Sequence, residues 1–325
     1  MNRLVSLIMS MAVLLLVLPF VAKADELLVL DGKYWLERMQ EAYKNNNFEL
    51  FLVRASAGNL EPVRFTHGIL NNHAYTHWYY LNGMPNGFLT NGDNTIYFID
   101  GKKKLVMPNH KDPVFFTRLQ TFSLEKLLDF YDVTLLGKFR IINRDTISIG
   151  LSPKHNDRFI FTLWIDEETG SLVQLQVIED KDGIKESFLG VNLKTFKKPN
   201  DLIIDLSKNI YANQYEVTPI ESTKNDLNWS LDYIPYGFKQ FFSKKYVLEN
   251  SNIPVEHVMF SDGFVEFSVY KIPAIGSMDF QVVKEGSVNL YRRLIGDEEI
   301  VIIGELPLAI EEQIARGYRV KCLNV

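Results

Sequence analysis

Few side chains in the sequence have the types and spacing that metal binding requires. His73 and His77 would share one ion on a helix, but they fall in a predicted strand, where positions i and i+4 lie about 13 Å apart. Asp180 and Asp182 resemble the start of a calcium loop, yet the twelfth position of that loop is Val191 instead of Glu. The sequence therefore predicts no metal site; we interpret the first pair as surface or half-buried histidines and the second as a hairpin turn.

The sequence also lacks a recognisable catalytic set. It contains no glycine-rich phosphate loop, no G-x-S-x-G elbow and no H-E-x-x-H helix. The acidic run Asp166–Glu168 could supply paired carboxylates to a hydrolase, but its place at a hairpin tip favours a solvated turn. Cys322 is the one cysteine, which excludes an intrachain disulfide and favours a tail thiol that could cross-link two chains. We predict a protein without enzymatic activity or cofactor; a hydrolase with catalytic residues scattered in sequence is the minor alternative.

Charge excludes one class of partner. The chain of 325 residues has a net charge of −5, whereas a nucleic-acid-binding protein needs clustered Lys and Arg to replace phosphate counterions. The basic run Lys102–Lys104 predicts a solvated strand edge, with contact to an anionic lipid headgroup as the alternative. No nucleic-acid partner is expected.

Aromatic residues, at 13% of the chain, are the more informative feature. The predicted strand Tyr75–Tyr80 carries large apolar side chains on both faces, because neighbouring side chains of a strand point to opposite sides. Either protein covers both faces, which the sequence favours, or one face lines a groove for an apolar ligand. The strand Phe159–Ile165 poses the same question. For the second alternative, the candidate lipid-pocket residues are Trp78, Tyr79, Phe161 and Trp164.

Residues 1–24 have the three parts of a secretory signal. Arg3 gives a short positive end, residues 4–20 form an apolar stretch, and the Ala-Lys-Ala run at 22–24 supplies the small-x-small cleavage pattern. A membrane anchor is the alternative, but the apolar stretch is marginal in length for a transmembrane helix. We therefore predict a signal peptide of residues 1–24 and an exported protein.

The remaining pattern predicts a mostly β, α+β fold with two domains. After an amphipathic helix around residues 36–43, short apolar runs separated by Asn- and Gly-rich turns predict a large curved antiparallel sheet, partly covered by helices, in residues 25–196. A helix capped by Ser123 interrupts these strands. Residues 197–228 are weakly patterned and predict a linker region, and residues 229–325 predict a small α+β domain that ends in a helix.

Several motifs resemble those of a known family. The hairpin that begins with Trp164–Leu172 resembles the W-x-D signature of the lipoprotein-carrier-like fold. In the second domain, Trp229 with Ile234–Phe238 is similar to the W…LPxGF segment of the MucB/RseB family. The departures at Tyr233 and Ile234, where the family has Trp and Leu, keep side-chain bulk. The other segments that resemble family motifs are Ser261–Phe264 (S-D-G-L/F) with Phe267–Val269 (F-S-V), and Val301–Pro307 (V-x-x-G-E-L/V-P).

The resemblance implies a non-enzymatic periplasmic regulator of an envelope-stress sigma factor. Family members bind the periplasmic part of a membrane-spanning anti-sigma factor, shield it from regulated proteolysis, and release it on sensing lipopolysaccharide or lipoprotein acyl chains. The implied fold is an unclosed β-barrel, like that of lipoprotein carriers, with a smaller C-terminal domain that helps to hold the partner. A periplasmic lipoprotein carrier is the alternative function, and a homo-oligomer is left open. The motif residues with an implied structural or partner-binding role are Trp229, Pro235, Gly237, Phe238, Asp262, Gly263, Gly304, Glu305 and Pro307.

Overall fold

The structure of the chain is a computed structural model that describes residues 31–91, 94–99, 103–108, 113–180, 183–209, 215–216, 227–248, 252–274 and 280–321. The predicted signal peptide, Lys102, Asp182 and Cys322 lie outside the described residues, so the interpretations given for them stay predictions. Within the described ranges, no helix combines the length and hydropathy that a bilayer span requires.

A twelve-stranded sheet forms the N-terminal unit and confirms the prediction of a large, mostly antiparallel sheet. Its strands are β1 (Asn47–Ser56), β2 (Asn59–Leu70), β3 (His73–Tyr80), β4 (Gly87–Thr90), β5 (Asn94–Ile99), β6 (Lys103–Pro108), β7 (Tyr131–Ile141), β8 (Arg144–Pro153), β9 (Ile160–Asp166), β10 (Leu172–Glu179), β11 (Gly183–Phe196) and β12 (Tyr215–Glu216). They follow the order β12-β6-β5-β4-β3-β2-β1-β11-β10-β9-β8-β7, and only β12 and β6 pair in parallel. Because β12 and β7 are its two edges, the sheet is not closed into a barrel.

The described helices of the N-terminal unit are α1 (Gly32–Asn45), α2 (Phe115–Thr121), α3 (Leu124–Phe130) and α4 (Asp201–Asn209). Helix α1 is the predicted N-terminal helix, and the Asp31 side chain caps it by accepting the backbone N–H of Lys33. Ser123 caps α3, as the sequence predicts. The sequence does not indicate α2, because its N-cap residue Val114 provides no side-chain cap of the kind that Ser123 gives α3.

Helices α1 and α2 cover one face of the large sheet, which we call the inner face. Helix α4 packs on the opposite, outer face, beside Gly68 and Tyr75. Cross-strand register places Leu50, Phe65 and Trp78 side by side on β1, β2 and β3, and all three are buried. The Phe116 ring of α2 packs on this row, with its centroid 5.7 Å from that of Phe65 and 6.1 Å from that of Trp78. Because a seven-residue helix is unstable by itself, apolar burial of this kind stabilises α2.

The first part of the predicted linker is folded onto the large sheet. Strand β11 ends at Phe196, and helix α4 packs against β2 and β3 with the Ile203 side chain fully buried. Gly68 allows this close packing, since a Cβ atom there would lie 3.2 Å from a methyl carbon of Ile203. Part of the predicted linker region, residues 197–228, therefore forms a helix on the large sheet, and the bounds of the linker stay a prediction.

A six-stranded antiparallel sheet forms the C-terminal unit and confirms the prediction of a smaller α+β domain. Its strands are β14 (Lys239–Val247), β15 (Pro254–Ser261), β16 (Glu266–Pro273), β17 (Phe280–Glu285), β18 (Val288–Ile295) and β19 (Glu298–Gly304), in the order β14-β15-β16-β19-β18-β17. Strand β13 (Trp229–Leu231) pairs with β20 (Tyr318–Val320) in a two-stranded ribbon, and helix α5 (Leu308–Arg316) directly precedes β20. The indole N–H of Trp229 donates to Glu256 Oε2 at 2.8 Å, which places this ribbon over β15.

Two tryptophans provide a direct test of which face contains the core. Trp78→Ala should lower the free energy of unfolding by about 3–5 kcal/mol, because removal of a fully buried indole leaves a cavity. Trp164→Ala is the matched control and should cost less than about 2 kcal/mol, because this side chain lies half-buried on the outer face. Urea denaturation followed by far-UV circular dichroism measures both values, and equal losses would contradict the assignment of the faces.

Candidate functional site: the junction of the two units

Two of the four candidate lipid-pocket residues lie in the inner-face core. Trp78 and Phe161 are fully buried, and both contact the short helix α2. The ring centroid of Trp78 is 6.1 Å from that of Phe116, and the centroid of Phe161 is 4.9 Å from that of Phe115. Phe115 and Phe116 therefore occupy the space in which an acyl chain would contact these residues.

The other two candidates lie on the outer face. The Tyr79 ring stacks on Phe98 with centroids 6.0 Å apart, and the Trp164 ring meets Phe139 edge-on at 6.4 Å. Strands β3 and β9 are five positions apart in the sheet, which corresponds to roughly 24 Å at the usual strand spacing. The four residues therefore do not line one pocket, and their contact with lipid stays a prediction.

A loop of the C-terminal unit completes the inner-face core. Phe264, between β15 and β16, is fully buried among aromatic rings of the N-terminal unit. Its ring centroid lies 5.0 Å from that of Phe122, 5.6 Å from that of Phe115 and 5.9 Å from that of Phe161. The two units consequently share one continuous hydrophobic core, and we call their contact region the junction.

A buried arginine forms the polar centre of the junction. The Arg158 guanidinium donates to Asp262 Oδ2 of the C-terminal unit at 2.8 and 3.0 Å, and to its neighbour Asp157. It also donates to the backbone carbonyl of Tyr236 at 2.6 Å. Burial by itself lowers the pKa of Arg158, but the charges of Asp262 and Asp157 outweigh this effect and raise the pKa. The arginine is therefore charged, and each unit supplies one compensating carboxylate.

Aromatic rings from both units enclose the same guanidinium. The Arg158 Cζ atom lies 4.4 Å from the ring centroid of Phe130, at the end of α3, and 4.9 Å from that of Phe238 in the C-terminal unit. A cation that is desolvated between aromatic faces gains about 2 kcal/mol or more from the quadrupoles of the rings. These contacts make the position of the C-terminal unit depend on one side chain of the large sheet unit.

The S-D-G-F motif builds the turn that inserts into this site. While Asp262 Oδ2 binds Arg158, its Oδ1 atom accepts the backbone N–H groups of Phe264 and Val265 at 2.6 and 2.7 Å. Gly263 adopts φ +97°, a left-handed conformation that strains other residues. One carboxylate therefore orients the loop that buries Phe264 and also pairs with the arginine.

A second ion pair joins the units beside Phe264. Arg118 of α2 donates to Glu305 Oε2 at 2.5 Å and to the backbone carbonyl of Phe264 at 3.1 Å. Glu305 belongs to the G-E-L-P motif that follows β19. Helix α2 is consequently connected to the C-terminal unit through charge as well as through its phenylalanine rings.

Two motif glycines are explained by close contacts. Gly237 has φ +81°, and a Cβ atom there would lie 2.6 Å from Cε1 of Phe130, so it permits the approach of the two units. At Gly304 a Cβ atom would lie 2.5 Å from Cβ of Phe267, which faces it on the paired strand β16. Glycine is required at both positions by space.

The remaining motif residues stabilise the C-terminal unit. Trp229 is buried against Tyr318, with ring centroids 5.7 Å apart. The backbone carbonyl of buried Pro235 accepts the N–H of Phe238 in a turn, and Pro307 is the N-cap residue of α5. The motif residues thus have visible structural roles, and a direct contact of any of them with a partner stays a prediction.

A carboxyl pair lies where α5 meets the large sheet. The N–H of Leu308 donates to Glu179 Oε1 of β10 at 2.7 Å, and Lys185 Nζ lies 3.2 Å from Glu179 Oε2. Glu311 is fully buried, and no hydrogen-bond partner of its carboxyl oxygens exists among the described residues. Burial and then the charge of Glu179 raise the pKa of Glu311 to about 9, while Lys185 opposes this change. Glu311 is therefore neutral near pH 7.

The sequence analysis identified the C-terminal side of the junction but missed the N-terminal side. Arg118 and Arg158 lie outside any recognised motif, and Glu179 follows the Trp164–Leu172 signature. A single charged residue in the sequence carries no signal for burial. The interpretation of the 166–168 acidic run as a solvated turn is wrong for Asp166, which is buried and paired with Arg144 at 2.6 Å. Within the described part of the chain, no three potential ligands cluster at a metal site.

An unclosed, helix-covered sheet joined to a smaller sheet unit through a shared core defines a mostly β protein of two domains. Models of the MucB/RseB N-terminal domain and of the MucB/RseB C-terminal domain match residues 31–216 and 223–319. The chain belongs to the MucB/RseB family. The break between the two matches falls inside the predicted linker region.

Individual relatives support this membership. The sigma-E factor regulatory protein RseB of Haemophilus influenzae is 26% identical over 308 residues, which cover 93% of this chain and 94% of that protein. The sigma factor AlgU regulatory protein MucB of Pseudomonas aeruginosa is 23% identical over 301 residues, with 89% and 91% coverage. The chain also shares its fold with MucB in the solved Pseudomonas aeruginosa MucA/MucB complex, at 21% identity, TM-score 0.68, and coverage of 90% of this chain and all of that one. These relatives are regulators, which confirms the prediction of a non-enzymatic protein.

The buried ion pair at the junction can be tested against an exposed one. Asp262→Ala should lower the free energy of unfolding by about 3–5 kcal/mol, because it leaves the Arg158 charge partly uncompensated and removes the acceptor of the Phe264 turn. Asp232→Ala is the control, since its pair with Arg319 is more than half exposed and should contribute less than about 1 kcal/mol. Urea denaturation measures both, and similar losses would argue against a stabilising role for the junction.

The carboxyl pair predicts a pH dependence with a definite sign. The pKa of Glu311 is raised from 4.5 to about 9, so between these values the folded protein binds one more proton than the unfolded chain. The stabilisation is complete below pH 4.5 and should be lost as pH rises to 9, by at most about 1.4 kcal/mol per pH unit. Glu311→Gln should flatten this dependence in urea denaturation from pH 5 to 9. Glu312→Gln, at an exposed neighbour, should leave it unchanged; a slope that survives Glu311→Gln refutes the assignment.

Proposed function

We propose that the chain is a periplasmic negative regulator of a sigma-E-type envelope-stress response. It binds the periplasmic part of a membrane-spanning anti-sigma factor and shields it from the protease that begins its destruction. It releases this partner when lipopolysaccharide or a mislocalised lipoprotein is sensed. The observation that carries the proposal is the match of both family models, one in each unit of the structure.

The proposed partner is supported by the solved relatives. MucB has been crystallised in complex with MucA(peri). This chain superposes on that MucB with a TM-score of 0.66, and the match covers 90% of this chain and all of the MucB chain. The secretory signal predicted in residues 1–24 supports export to the compartment in which such a partner is exposed. A lipoprotein carrier, the alternative function, has no need of the C-terminal unit.

The junction offers a physical route from lipid to partner release. An acyl chain that displaces Phe264 from the inner-face core would replace its apolar contacts, at about 0.8 kcal/mol for each buried CH₂ group. Such a ligand would separate the loop of the C-terminal unit from Phe115 and Phe161. It can release the partner only if it binds the partner-free form more tightly, and the coupling acts equally in both directions.

The test is a proteolysis assay with purified mature protein, the periplasmic domain of the cognate anti-sigma factor, and the protease that cleaves it. We expect the protein to slow cleavage and lipopolysaccharide to restore it. Phe264→Ala should weaken protection and lower the lipopolysaccharide concentration that restores cleavage, because it removes the contact that lipid must displace.

Phe139→Ala is the matched control, since this ring is 47% exposed on the outer face. It should behave as the wild type in both measurements. Unchanged cleavage in the presence of saturating wild-type protein would refute the shielding role, and insensitivity to lipopolysaccharide would refute the sensing role.

A further inference from the structure

An open groove lies in the C-terminal unit between the β13–β20 ribbon and the six-stranded sheet. Its volume is about 360 Å³. Trp229, Val258 and Phe260, each less than 5% exposed, contribute its apolar lining. The ribbon lies over β15, because Trp229 is hydrogen-bonded to Glu256 of that strand. The groove opens beside this contact, toward Gln240 of the edge strand β14.

The rim of the groove is exposed and carries positive charge. Ile234 is 40% exposed, and Gln240 of β14 is also exposed. Lys321 is the one charged residue in the lining. Because no acidic side chain lines the groove, its charge is complementary to an acidic ligand.

Strand β14 offers backbone hydrogen bonds beside the groove. It is an edge of the six-stranded sheet and pairs, in the described part of the chain, only with β15. A bulge between Gln240 and Phe242 leaves Phe241 51% exposed. An unpaired edge strand of this kind accepts an extended peptide as an additional strand, while an adjacent pocket selects its side chains.

We propose that the groove binds one bulky apolar side chain of an extended, acidic segment of the anti-sigma factor; the proposal rests on the function proposed above. The volume lies near the lower end of the range for ligand pockets, about 300–1,000 Å³, and suits one or two side chains. The segment pairs with the β14 edge, its apolar side chain contacts Trp229 and Phe260, and one of its carboxylates faces Lys321. This site is separate from the inner-face core in which lipid is proposed to act.

The experiment fills the groove and measures affinity. Gln240→Trp places an indole at the rim and should weaken binding of the anti-sigma factor periplasmic domain by at least about tenfold, measured by isothermal titration calorimetry. Val247→Trp is the matched control, because this residue is on the same strand, 53% exposed and outside the lining. It should leave both the affinity and the melting temperature unchanged.

A charge reversal tests the electrostatic part without filling the groove. Lys321→Glu should weaken binding several-fold at low salt, and the loss should shrink as salt screens the repulsion. If Lys321→Glu binds as tightly as the wild type at low salt, the proposal is overturned. This outcome does not depend on whether Gln240→Trp affects folding.

The remaining outcomes separate this proposal from the proposed function. If the wild type does not bind the anti-sigma factor, the proposed function fails. If the wild type binds and Gln240→Trp binds equally well, the groove proposal alone fails. Gln240→Trp could also change the oligomeric state or the melting temperature while the affinity stays the same. That result would assign the groove to a second copy or to another segment of this chain, and it would overturn the groove proposal.

Discussion

The arrangement of the two units depends on a guanidinium that is buried between them. Arg158 can be buried with its charge because Asp157 and Asp262 neutralise it and Phe130 and Phe238 enclose it. If the two units separated, Arg158 would lose its contacts with Asp262 and Phe238. Water would then have to hydrate its charge in their place. A buried ion pair contributes more to the geometry of such a contact than to its net stability. Phe264, which is buried among the aromatic rings of the N-terminal unit, adds an apolar contribution to this contact.

The family motifs acquire a physical meaning from this contact. Asp262 orients a turn with one oxygen and pairs with Arg158 through the other, while Glu305 binds Arg118 of α2. Gly237 leaves room for the ring of Phe130. Asp262, Glu305 and Gly237 belong to three different motifs, and each contributes to one interface between two folded units. Helix α2 is the element common to both sides, since it fills the inner face and also binds the C-terminal unit.

The inner-face core shows how an unclosed, aromatic-rich sheet buries its large side chains. The large side chains of β1 to β4 and of β8 to β10 would be exposed on an unclosed sheet, but α1, α2 and Phe264 cover them. The prediction that protein covers both faces of the strand Tyr75–Tyr80 holds for the inner face, whereas Tyr79 and Trp164 on the outer face are only half-buried. A lipid that enters this core must therefore compete with the protein's own aromatic rings.

Local sequence patterns establish the mostly β character, the division into a larger and a smaller unit, the helix capped at Ser123, and the family. These features arise from local periodicity, turn residues and short motifs, which are properties of neighbouring residues. Only the tertiary structure decided that Arg158, Arg118 and Glu311 are buried at the junction, and that the four aromatic candidates are divided between two faces. Arg158 pairs with Asp262 and Arg118 pairs with Glu305, and each partner lies more than 100 positions away in the sequence. A local sequence pattern cannot predict contacts between residues so far apart.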